Sequence, residues 1–280
     1  MKRRPQRIVC LSTETVEVLY RLGEEDRIVG ISGFTVRPPR ARKEKPKVSA
    51  FSTADVGKIL AVAPDLVLAF SDLQADMVRE VVKAGVAAHV FNHRSVEGIL
   101  AMVDTVGALV GAAEAAAELV ASLEDTLAAA RSAGEALAAR LGRRPRVYFE
   151  EWDEPMISGI RWVSELIAIA GGEDIFADRA GAPNAKERII ADPAEVIARA
   201  PDLILGSWCG KHFRPERVTG RPGWASIPAV IHGQVHEIKS AIILAPGLAA
   251  IEEGLPALAA CLAALDDGAK RGNQFPAPRF

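Results

Sequence analysis

Short apolar runs alternate with amphipathic segments along most of the chain. The apolar runs predict buried strands, and the segments with apolar residues every three or four positions predict helices. The predicted strands are RIVCL, RIVGIS, DLVLAF, AAHVF, RVYFE, DLILGS and QVHEI. The predicted helices are residues 13–22, 56–61, 72–84, 95–141, 163–170, 193–200 and 248–265. This alternation predicts an α/β fold with parallel central sheets covered on both faces.

One phrase occurs twice in the chain. ADVGKILAVAPDLVLAFS covers residues 54–71, and ADPAEVIARAPDLILGSW covers residues 191–208. Each copy reads as a helix, a proline and a buried strand, and two copies are too few for a solenoid. The repeat therefore predicts two similar α/β lobes with a ligand cleft between them.

The stretch between the two copies has a helical composition. Residues 95–142 are rich in Ala, Leu, Val and Glu and contain no proline, which predicts one long helix or two nearly continuous helices. The predicted organisation is an N-terminal α/β lobe at residues 1–94, a bridging helix at 95–142 and a C-terminal α/β lobe at 143–280.

Residues that follow the predicted strands are candidate ligand contacts, because ligands of parallel α/β sheets collect at the carboxyl ends of the strands. These residues are Ser12, Thr13, Glu14, Ser71, Asp72, Glu151, Trp152, Asp153, Trp208 and Cys209. Trp152 and Trp208 favour a flat or bulky apolar ligand, since an indole buries a large apolar face. The alternative is that each tryptophan fills the end of its own lobe.

The overall charge excludes some partners. The 34 basic residues nearly balance the 36 acidic ones, and without a long basic run nucleic acid is not a predicted partner. Cys10, Cys209 and Cys261 lie far apart, which predicts neither a disulfide framework nor a structural zinc site. No apolar run is long enough to predict membrane insertion. Residues 1–6 are basic and polar, so the chain as written is predicted to be cytoplasmic, or periplasmic if a leader has been removed.

Catalytic and metal motifs are not found. The five histidines show no metal-ligand spacing, so no metal site is predicted, and His212 is the histidine that would take part in one. No nucleophile elbow, phosphate loop or dinucleotide fingerprint is present. The acidic stretch Glu150–Glu154 reads as a solvated loop, and Cys209 has no identifiable histidine partner. The sequence therefore predicts a binding protein with no catalytic residues.

Several motifs, in this order along the chain, resemble a known family. APDLVLAF, its repeat APDLILGS, AGGEDIF at residues 170–176 and PGWASIPAVIHGQVHEI at residues 222–238 resemble the helical-backbone (class III) substrate-binding proteins of ABC importers. The resemblance covers residues 7–265. VRPPRA, SAFS and PMISG are most similar to loops of the cobalamin-binding branch, whose members resemble the periplasmic vitamin B12-binding protein.

This resemblance implies non-catalytic binding of a corrinoid in the cleft, with no intrinsic cofactor. It adds four ligand-facing positions, Phe34, Phe51, Met156 and Arg188, to the strand-exit residues Ser12, Thr13, Trp152 and Trp208. Arg188 would meet a corrin amide or a phosphate. Two alternatives stay open: a ferric-siderophore, haem or metal-ion receptor, and an enzyme acting on a bound corrinoid or metal chelate through Cys209 or the Glu150–Glu154 acids.

The resemblance also implies an ABC permease as partner, contacted through an acidic residue on each lobe. Gly57 and Ala194 stand at those two positions here, which weakens the prediction of a permease. Asp55, Asp192 and Glu195 lie close by in sequence and are possible substitutes. A cytoplasmic carrier, sensor or storage protein is therefore an expectation of equal standing to an importer component.

Overall fold

The computed structural model describes residues 4–49 and 56–271, and helices alternate with strands in these ranges. The strands are β1 (Ile8–Cys10), β2 (Ile28–Ser32), β3 (Lys47–Ser49), β4 (Leu66–Phe70), β5 (Ala87–Phe91), β6 (Arg146–Asp153), β7 (Met156–Ser158), β8 (Glu173–Asp174), β9 (Leu203–Gly206) and β10 (Val235–Glu237). The α-helices are α1 (Thr13–Arg21), α2 (Ala41–Glu44), α3 (Val56–Ala61), α4 (Ala75–Lys83), α5 (Val96–Val110), α6 (Ala113–Leu141), α7 (Arg161–Ile169), α8 (Ala177–Ala180), α9 (Ala194–Arg199), α10 (Pro215–Thr219), α11 (Pro228–Ile231), α12 (Ser240–Ile243) and α13 (Leu255–Arg271). Short 3₁₀ turns lie at Glu25–Arg27, Asp72–Gln74, Ala185–Arg188 and Trp224–Ser226, and a π-helical turn at Ala250–Gly254 precedes α13.

The first sheet is parallel, in the order β3-β2-β1-β4-β5. Its central strands β1 and β4 are buried along their whole length, which explains why both read as unbroken apolar runs. Strand β5 lies at the edge and is more exposed. Strand β3 was not predicted, because Val48 is its single apolar residue and leaves no apolar run in the sequence.

The second sheet has the order β10-β9-β6-β7, and β8 also pairs with β6. Strands β8, β9 and β10 run parallel to their neighbours, whereas β7 is antiparallel to the end of β6. The prediction had neither β7 nor β8 and ended the leading strand at Glu150, whereas β6 extends to Asp153. The predicted α/β class with parallel central sheets and a long helix is confirmed.

The repeated phrase ends its helix in the same way in both copies. Ala63 and Ala200 follow α3 and α9 with left-handed φ angles of 44° and 43°. A left-handed residue stops a helix, and the proline that comes next cannot continue it. Alanine carries a Cβ penalty at such φ values, so these two positions are strained.

The aspartate of the phrase then fixes the repeated strand beside the leading strand. The carboxylate of Asp65 accepts hydrogen bonds from the backbone N–H groups of Gln6 and Arg7, at 2.7 and 3.0 Å. The carboxylate of Asp202 accepts one from the backbone N–H of Arg146, at 2.7 Å. Strand β4 therefore starts beside β1, and β9 starts beside β6. The repeated phrase therefore provides the same aspartate-to-backbone contact for strand pairing in both sheets.

Replacing Ala200 with glycine is expected to raise the free energy of unfolding by about 0.5–1 kcal/mol, because glycine adopts positive φ without the Cβ penalty. Urea denaturation measures the change as a higher midpoint at unchanged slope. Ala198→Gly, at an exposed position inside α9, is the matched control and should lower stability by a similar amount. A loss of stability in both variants would contradict the strain at Ala200.

The predicted long helix is two helices. Helix α5 ends at Gly111, which has a left-handed φ of 77°, and α6 starts two residues later. The N–H groups of Gly111 and Ala112 both donate to the carbonyl of Gly107 at 2.8 Å, which satisfies the end of α5. The sequence allowed one long helix or two nearly continuous helices, and the structure has two.

Helix α6 makes a backbone contact at Gly134. A Cβ at Gly134 would lie 2.6 Å from the backbone nitrogen of Gly171 and 2.7 Å from the carbonyl oxygen of Ile169. Gly171 has a φ of 93° and belongs to the AGGEDIF motif. The two glycines of this crossing therefore let the helix and the turn after α7 touch without side chains between them.

The described residues form two compact units. The first lies within Met1–His93, Glu97–Leu123 and Pro246–Leu248, and the second within Arg94–Val96, Glu124–Ala245 and Ala249–Phe280. Helix α6 contributes residues to both units. The lobe boundaries predicted at residues 94 and 142 stay a prediction.

Candidate functional site

The switch point of the first sheet lies between β1 and β4. The chain leaves β1 toward β2 on one side and leaves β4 toward β5 on the other, the arrangement at whose carboxyl end α/β proteins bind ligands. The side chain of Gln74 joins the two loops: it accepts from the N–H of Phe70 at 2.9 Å and donates to the carbonyl of Leu11 at 3.1 Å. The repeated strand therefore marks this switch point.

Two predicted ligand contacts, Ser12 and Thr13, lie in the loop after β1. Ser12 is buried, and its hydroxyl oxygen is 3.5 Å from that of Thr15. Thr13 is half-buried and is the first residue of α1. The structure places both at the predicted edge, and their contact with a ligand stays a prediction.

Phe34 is the most open of the predicted contacts in this unit. Its side chain is 65% exposed in the loop after β2, which is the same edge of the sheet. Arg42 donates to the carbonyls of Gly33 and Thr35 at 3.0 Å and so holds the loop on both sides of the ring. Phe51 lies outside the described residues.

Leu73 is an exposed apolar residue that the sequence reading missed. It is 65% exposed in the turn after β4, where the prediction named Ser71 and Asp72. Ser71 has a φ of 68°, and its hydroxyl accepts from the N–H of Leu73 at 3.3 Å. The sequence signal for this exposed residue was a leucine between polar residues directly after the end of a strand.

A buried acid also lies at this edge. Glu14 is 7% exposed in the first turn of α1, and burial raises the pKa of its carboxyl group by more than hydrogen bonds lower it. Gly247 packs on it closely, since a Cβ at Gly247 would lie 3.0 Å from Cγ of Glu14. The neighbouring Pro246 carbonyl is 2.8 Å from Nε2 of His93. The segment 246–248 therefore covers part of this edge.

The switch point of the second sheet lies between β6 and β9, again beside the repeated strand. The carboxylate of Glu150, 0% exposed, receives hydrogen bonds from Tyr148 Oη at 2.8 Å, Trp208 Nε1 at 3.0 Å, and Arg221 at 2.5 and 3.0 Å. Burial and the nearby Glu150 charge raise the pKa of Tyr148. The interpretation of Glu150–Glu154 as a solvated loop is wrong for Glu150 and Asp153, which are buried in a strand.

Trp208 lies in the core of the second unit. It is 2% exposed, and its ring packs on Phe213 with 4.9 Å between the ring centroids. Its indole N–H is taken by Glu150. This position favours the alternative that Trp208 fills the end of its sheet, and its predicted contact with a ligand stays a prediction.

Trp152 is half-buried at the end of β6, beside a lysine that the sequence reading missed. Lys211 Nζ lies 4.9 Å from the ring centroids of both Trp152 and Trp208. The same ammonium donates to Oδ1 of Asp153 at 2.5 Å. Cation–π attraction and the ion pair together hold Lys211 between the two indoles.

Arg188 is buried and paired within the protein. It is 1% exposed, and its guanidinium donates to both carboxylate oxygens of Glu151, at 2.6 and 3.2 Å, and to the carbonyl of Ser158. A bidentate carboxylate is the partner that a buried guanidinium requires. The arrangement gives Arg188 a structural task, and its contact with a corrin amide or phosphate stays a prediction.

A pocket of about 320 Å³ opens beside these residues in the second unit. Its lining combines carboxylates, guanidiniums and apolar groups: Asp153, Glu154, Met156, Pro193, Arg217, Arg221 and Pro222. Met156, a predicted ligand contact, is 7% exposed on β7. Arg217 lies 3.4 Å from Oδ2 of Asp153 and donates to Glu154 at 2.7 Å. Basic residues 211–221 therefore neutralise acids of β6 and its turn.

Cys209, His236 and His212 lie in different surroundings within the second unit. Cys209 is exposed, but local burial and the Glu151 charge raise the pKa of its thiol, the opposite of an activated nucleophile. His236 is buried, and burial lowers its pKa. Across residues 4–49 and 56–271, no three His, Cys, Asp or Glu side chains are placed to hold a metal ion. His212 is exposed after β9.

The two expected docking positions are exposed and uncharged. Gly57 lies in α3 and Ala194 begins α9. Of the acids proposed to replace them, Asp192 accepts from the N–H of Ala194 at 2.9 Å. Glu195 is paired with Arg179 and Arg199, each at 2.7 Å, and Asp55 lies outside the described residues.

Comparison with known proteins settles the family. The family described as "Periplasmic binding protein" matches residues 8–242. The chain belongs to this periplasmic binding protein family. Several of the relatives and solved structures to which it is similar are named for the ligands they bind, and this family is one of binding proteins, not catalysts.

Three relatives of this periplasmic binding protein carry such names. A cobalamin-binding protein of Halobacterium salinarum is 28% identical over 72% of this chain and 53% of its own length. A periplasmic heme-binding protein from Roseiflexus sp. is 25% identical with a TM-score of 0.77, over 94% of this chain and 99% of that one. A periplasmic vitamin B12 binding protein of Vibrio cholerae is 20% identical with a TM-score of 0.74, over 94% and 98%. The chain thus spans about half the length of the Halobacterium relative.

In the part of the chain that the structure describes, no helix of this periplasmic binding protein combines sufficient length with sufficient apolar character to span a membrane.

Proposed function

We propose that this protein binds a corrinoid without chemical conversion, as the substrate-binding component of an ABC-importer system. The observation that carries the proposal is the 28% identity, over 206 residues, to a protein named as cobalamin-binding. The loop motifs VRPPRA and PMISG agree with it. The proposed ligand contacts are Ser12, Thr13, Phe34, Trp152 and Met156, together with Phe51, which lies outside the described residues. Arg188 and Trp208 are proposed to support these contacts from the protein interior.

These contacts suit a flat, mostly apolar macrocycle with a polar edge. Phe34, with 65% of its side chain exposed, offers an apolar face to solvent at a strand exit, where ligand sites of α/β folds occur. Half-buried Trp152 and the pocket-lining Met156 offer similar faces in the second unit. Trp208 and Arg188 support these positions from behind, because their polar groups are already engaged by Glu150 and Glu151.

Absorbance and calorimetric titration of the full chain with cobalamin, cobinamide and haem tests the proposal. We expect saturable one-to-one binding of a corrinoid at micromolar concentration or below, since burial of a macrocycle supplies ample hydrophobic free energy. Phe34→Ala should weaken it at least about tenfold, and Val82→Ala, also an exposed apolar residue of the first unit, should not. Absence of binding by either corrinoid would contradict the proposal.

Haem is the second candidate ligand, favoured by the 25% identity to a heme-binding protein. A haem receptor needs a side chain that ligates iron. Of the two tyrosines in the chain, Tyr148 is fully buried and bonded to Glu150, and Tyr20 is bonded to Glu44. Exposed His212, after β9, is the histidine at a strand exit of the second unit.

Replacing His212 with alanine separates these two ligands. We expect corrinoid affinity to change by less than about twofold, because the proposed corrinoid contacts are packing contacts and hydrogen bonds that do not involve this imidazole. A haem receptor that uses His212 would instead lose its Soret signature on titration with haem. His232→Ala, an exposed histidine after α11, is the matched control. Loss of corrinoid binding in His212→Ala alone would contradict the proposed contacts.

The proposed partner is an ABC permease that accepts the bound corrinoid. Gly57 and Ala194 remove the expected docking charges, so we expect weaker docking than in relatives that carry acids there. The double variant Gly57→Glu, Ala194→Glu should increase corrinoid uptake in cells that supply a corrinoid permease without its own binding protein. An unchanged uptake in those cells would contradict permease delivery through these positions.

A further inference from the structure

We infer that the pocket of the second unit recognises carboxamide groups at the edge of a corrinoid and rejects carboxylates in the same position. The inference rests on the proposed function, and it adds a chemical selectivity to it. Corrinoids made for use as cofactors carry acetamide and propionamide side chains around the ring, whereas their biosynthetic precursors and haem carry free carboxylates. The inferred selectivity therefore distinguishes a neutral carboxamide from a charged carboxylate of nearly the same shape.

The charges around the pocket are already balanced. Arg221 is paired with Glu150, and Arg217 is shared between Asp153 and Glu154. Lys211 is paired with Asp153 as well. Three acids therefore face three bases, and a carboxylate ligand would meet no cation that lacks an acid beside it. Bringing such a ligand close to Asp153 and Glu154 adds repulsion.

Asp153 has one carboxylate oxygen, Oδ2, that accepts no hydrogen bond from the described residues. Its side chain is 2% exposed and it lines the pocket. Among the described residues, Oδ2 receives no hydrogen bond, and the Arg217 guanidinium lies at the longer ion-pair distance of 3.4 Å. A buried carboxylate oxygen without a donor is costly. A ligand N–H would remove that cost, and a ligand carboxylate would increase it.

A primary amide can pair with both the acidic and the basic residues of this lining. Its NH₂ group donates to Asp153, and its carbonyl accepts from Arg217, whose side chain is 41% exposed. An ammonium group would satisfy Asp153 but would meet Arg217 and Arg221 as like charges. At about 320 Å³, the pocket is at the small end for whole ligands, which suits the edge of a macrocycle. Met156 and Pro222 complete an apolar wall for the methylene groups of such a side chain.

Titration of the full chain with two corrinoids of the same ring tests the inference. Dicyanocobinamide carries amides at the ring edge, and dicyano-cobyrinic acid carries carboxylates there at neutral pH. We expect cobinamide to bind at least about tenfold more tightly, because a hydrogen bond to a charged group is gained with one ligand and a like-charge contact with the other. Equal affinity, or tighter binding of the acid, overturns the inference while leaving corrinoid binding intact. Failure of both ligands to bind contradicts the proposed function instead.

Two variants assign the selectivity to this pocket. Asp153→Asn and Glu154→Gln should each reduce the amide-to-acid preference at least about threefold, mainly through tighter binding of the acid. Glu154 is 74% exposed, so its variant keeps the test available if Asp153→Asn does not fold, as a thermal melt would reveal. Glu216→Gln, a neighbouring exposed acid on α10 that does not line the pocket, should leave the preference unchanged. An unchanged preference in Asp153→Asn and Glu154→Gln overturns the assignment.

Discussion

Replacing Arg221 with methionine is expected to lower the free energy of unfolding by about 3–5 kcal/mol. The change removes the guanidinium that binds both carboxylate oxygens of Glu150, at 2.5 and 3.0 Å. Glu150 is 0% exposed, so it would become a buried charge held only by the neutral donors of Tyr148 and Trp208. Urea denaturation followed by tryptophan fluorescence measures the loss.

Two further variants give this expectation a sharp control. Arg161→Met removes one end of an i,i+4 pair with Glu165 in the same unit, but Arg161 is 57% exposed, so the loss should stay below about 1 kcal/mol. Adding Glu150→Gln to Arg221→Met should recover part of the loss, because the unpaired charge is then absent. If Arg221→Met costs no more than Arg161→Met, the buried pair does not stabilise the second sheet.

Much of the fold was predictable because its signals are local. Buried strands such as β4 and β9 appear as apolar runs in the sequence, and their neighbours Pro64 and Pro201 mark the ends of helices. The repeat was also interpretable, since the same helix stop and the same Asp-to-backbone contact recur at the start of both strands. Strands β7 and β8 were not predictable, because β7 is three residues that turn back on the end of β6, β8 is two residues that pair with its start, and segments this short leave no period in the sequence.

The candidate site was predictable in position but not in burial. The strand-exit rule placed Ser12, Trp152 and Trp208 at the carboxyl ends of strands, where the structure has them. The rule did not reveal that Trp208 is buried, because the residues around Trp208 come from segments far along the chain. The sequence analysis did not single out Arg221, which binds the Glu150 carboxylate that also accepts from Trp208, or Lys211, which lies beside both tryptophans.

The burial that the sequence did not reveal also changes how the acids of β6 are interpreted. A run of carboxylates such as EEWDE is solvated when nothing covers it, yet here Glu150 and Asp153 are buried with cations from residues 211–221. Burial of an acid is tolerated only when a partner arrives with it. The basic segment is therefore part of the fold of the second sheet, and Glu154, at 74% exposure, is the acid of this run that stays largely in solvent.

Gly134→Ala is expected to lower the free energy of unfolding by about 3 kcal/mol, the upper end for overpacking. Inside an ordinary helix the same change stabilises by about 0.5–1 kcal/mol, because glycine is the poorer helix former. Here the added methyl group would lie 2.6 Å from the backbone of Ala170 and Gly171, and backbone cannot rotate away as a side chain can. Helix α6 would have to move off the end of α7, at a cost in packing along the crossing.

Gly181→Ala is the matched control for this contact. A Cβ at Gly181 would meet nothing within 4 Å, and the residue has an ordinary negative φ of −69°, so the stability should change by less than about 0.5 kcal/mol. A large loss in Gly134→Ala beside little change in Gly181→Ala would show that the helix crossing, not glycine itself, sets the cost. A neutral or stabilising Gly134→Ala, measured by urea denaturation, would mean that α6 is not held against the AGGEDIF turn at the observed distance.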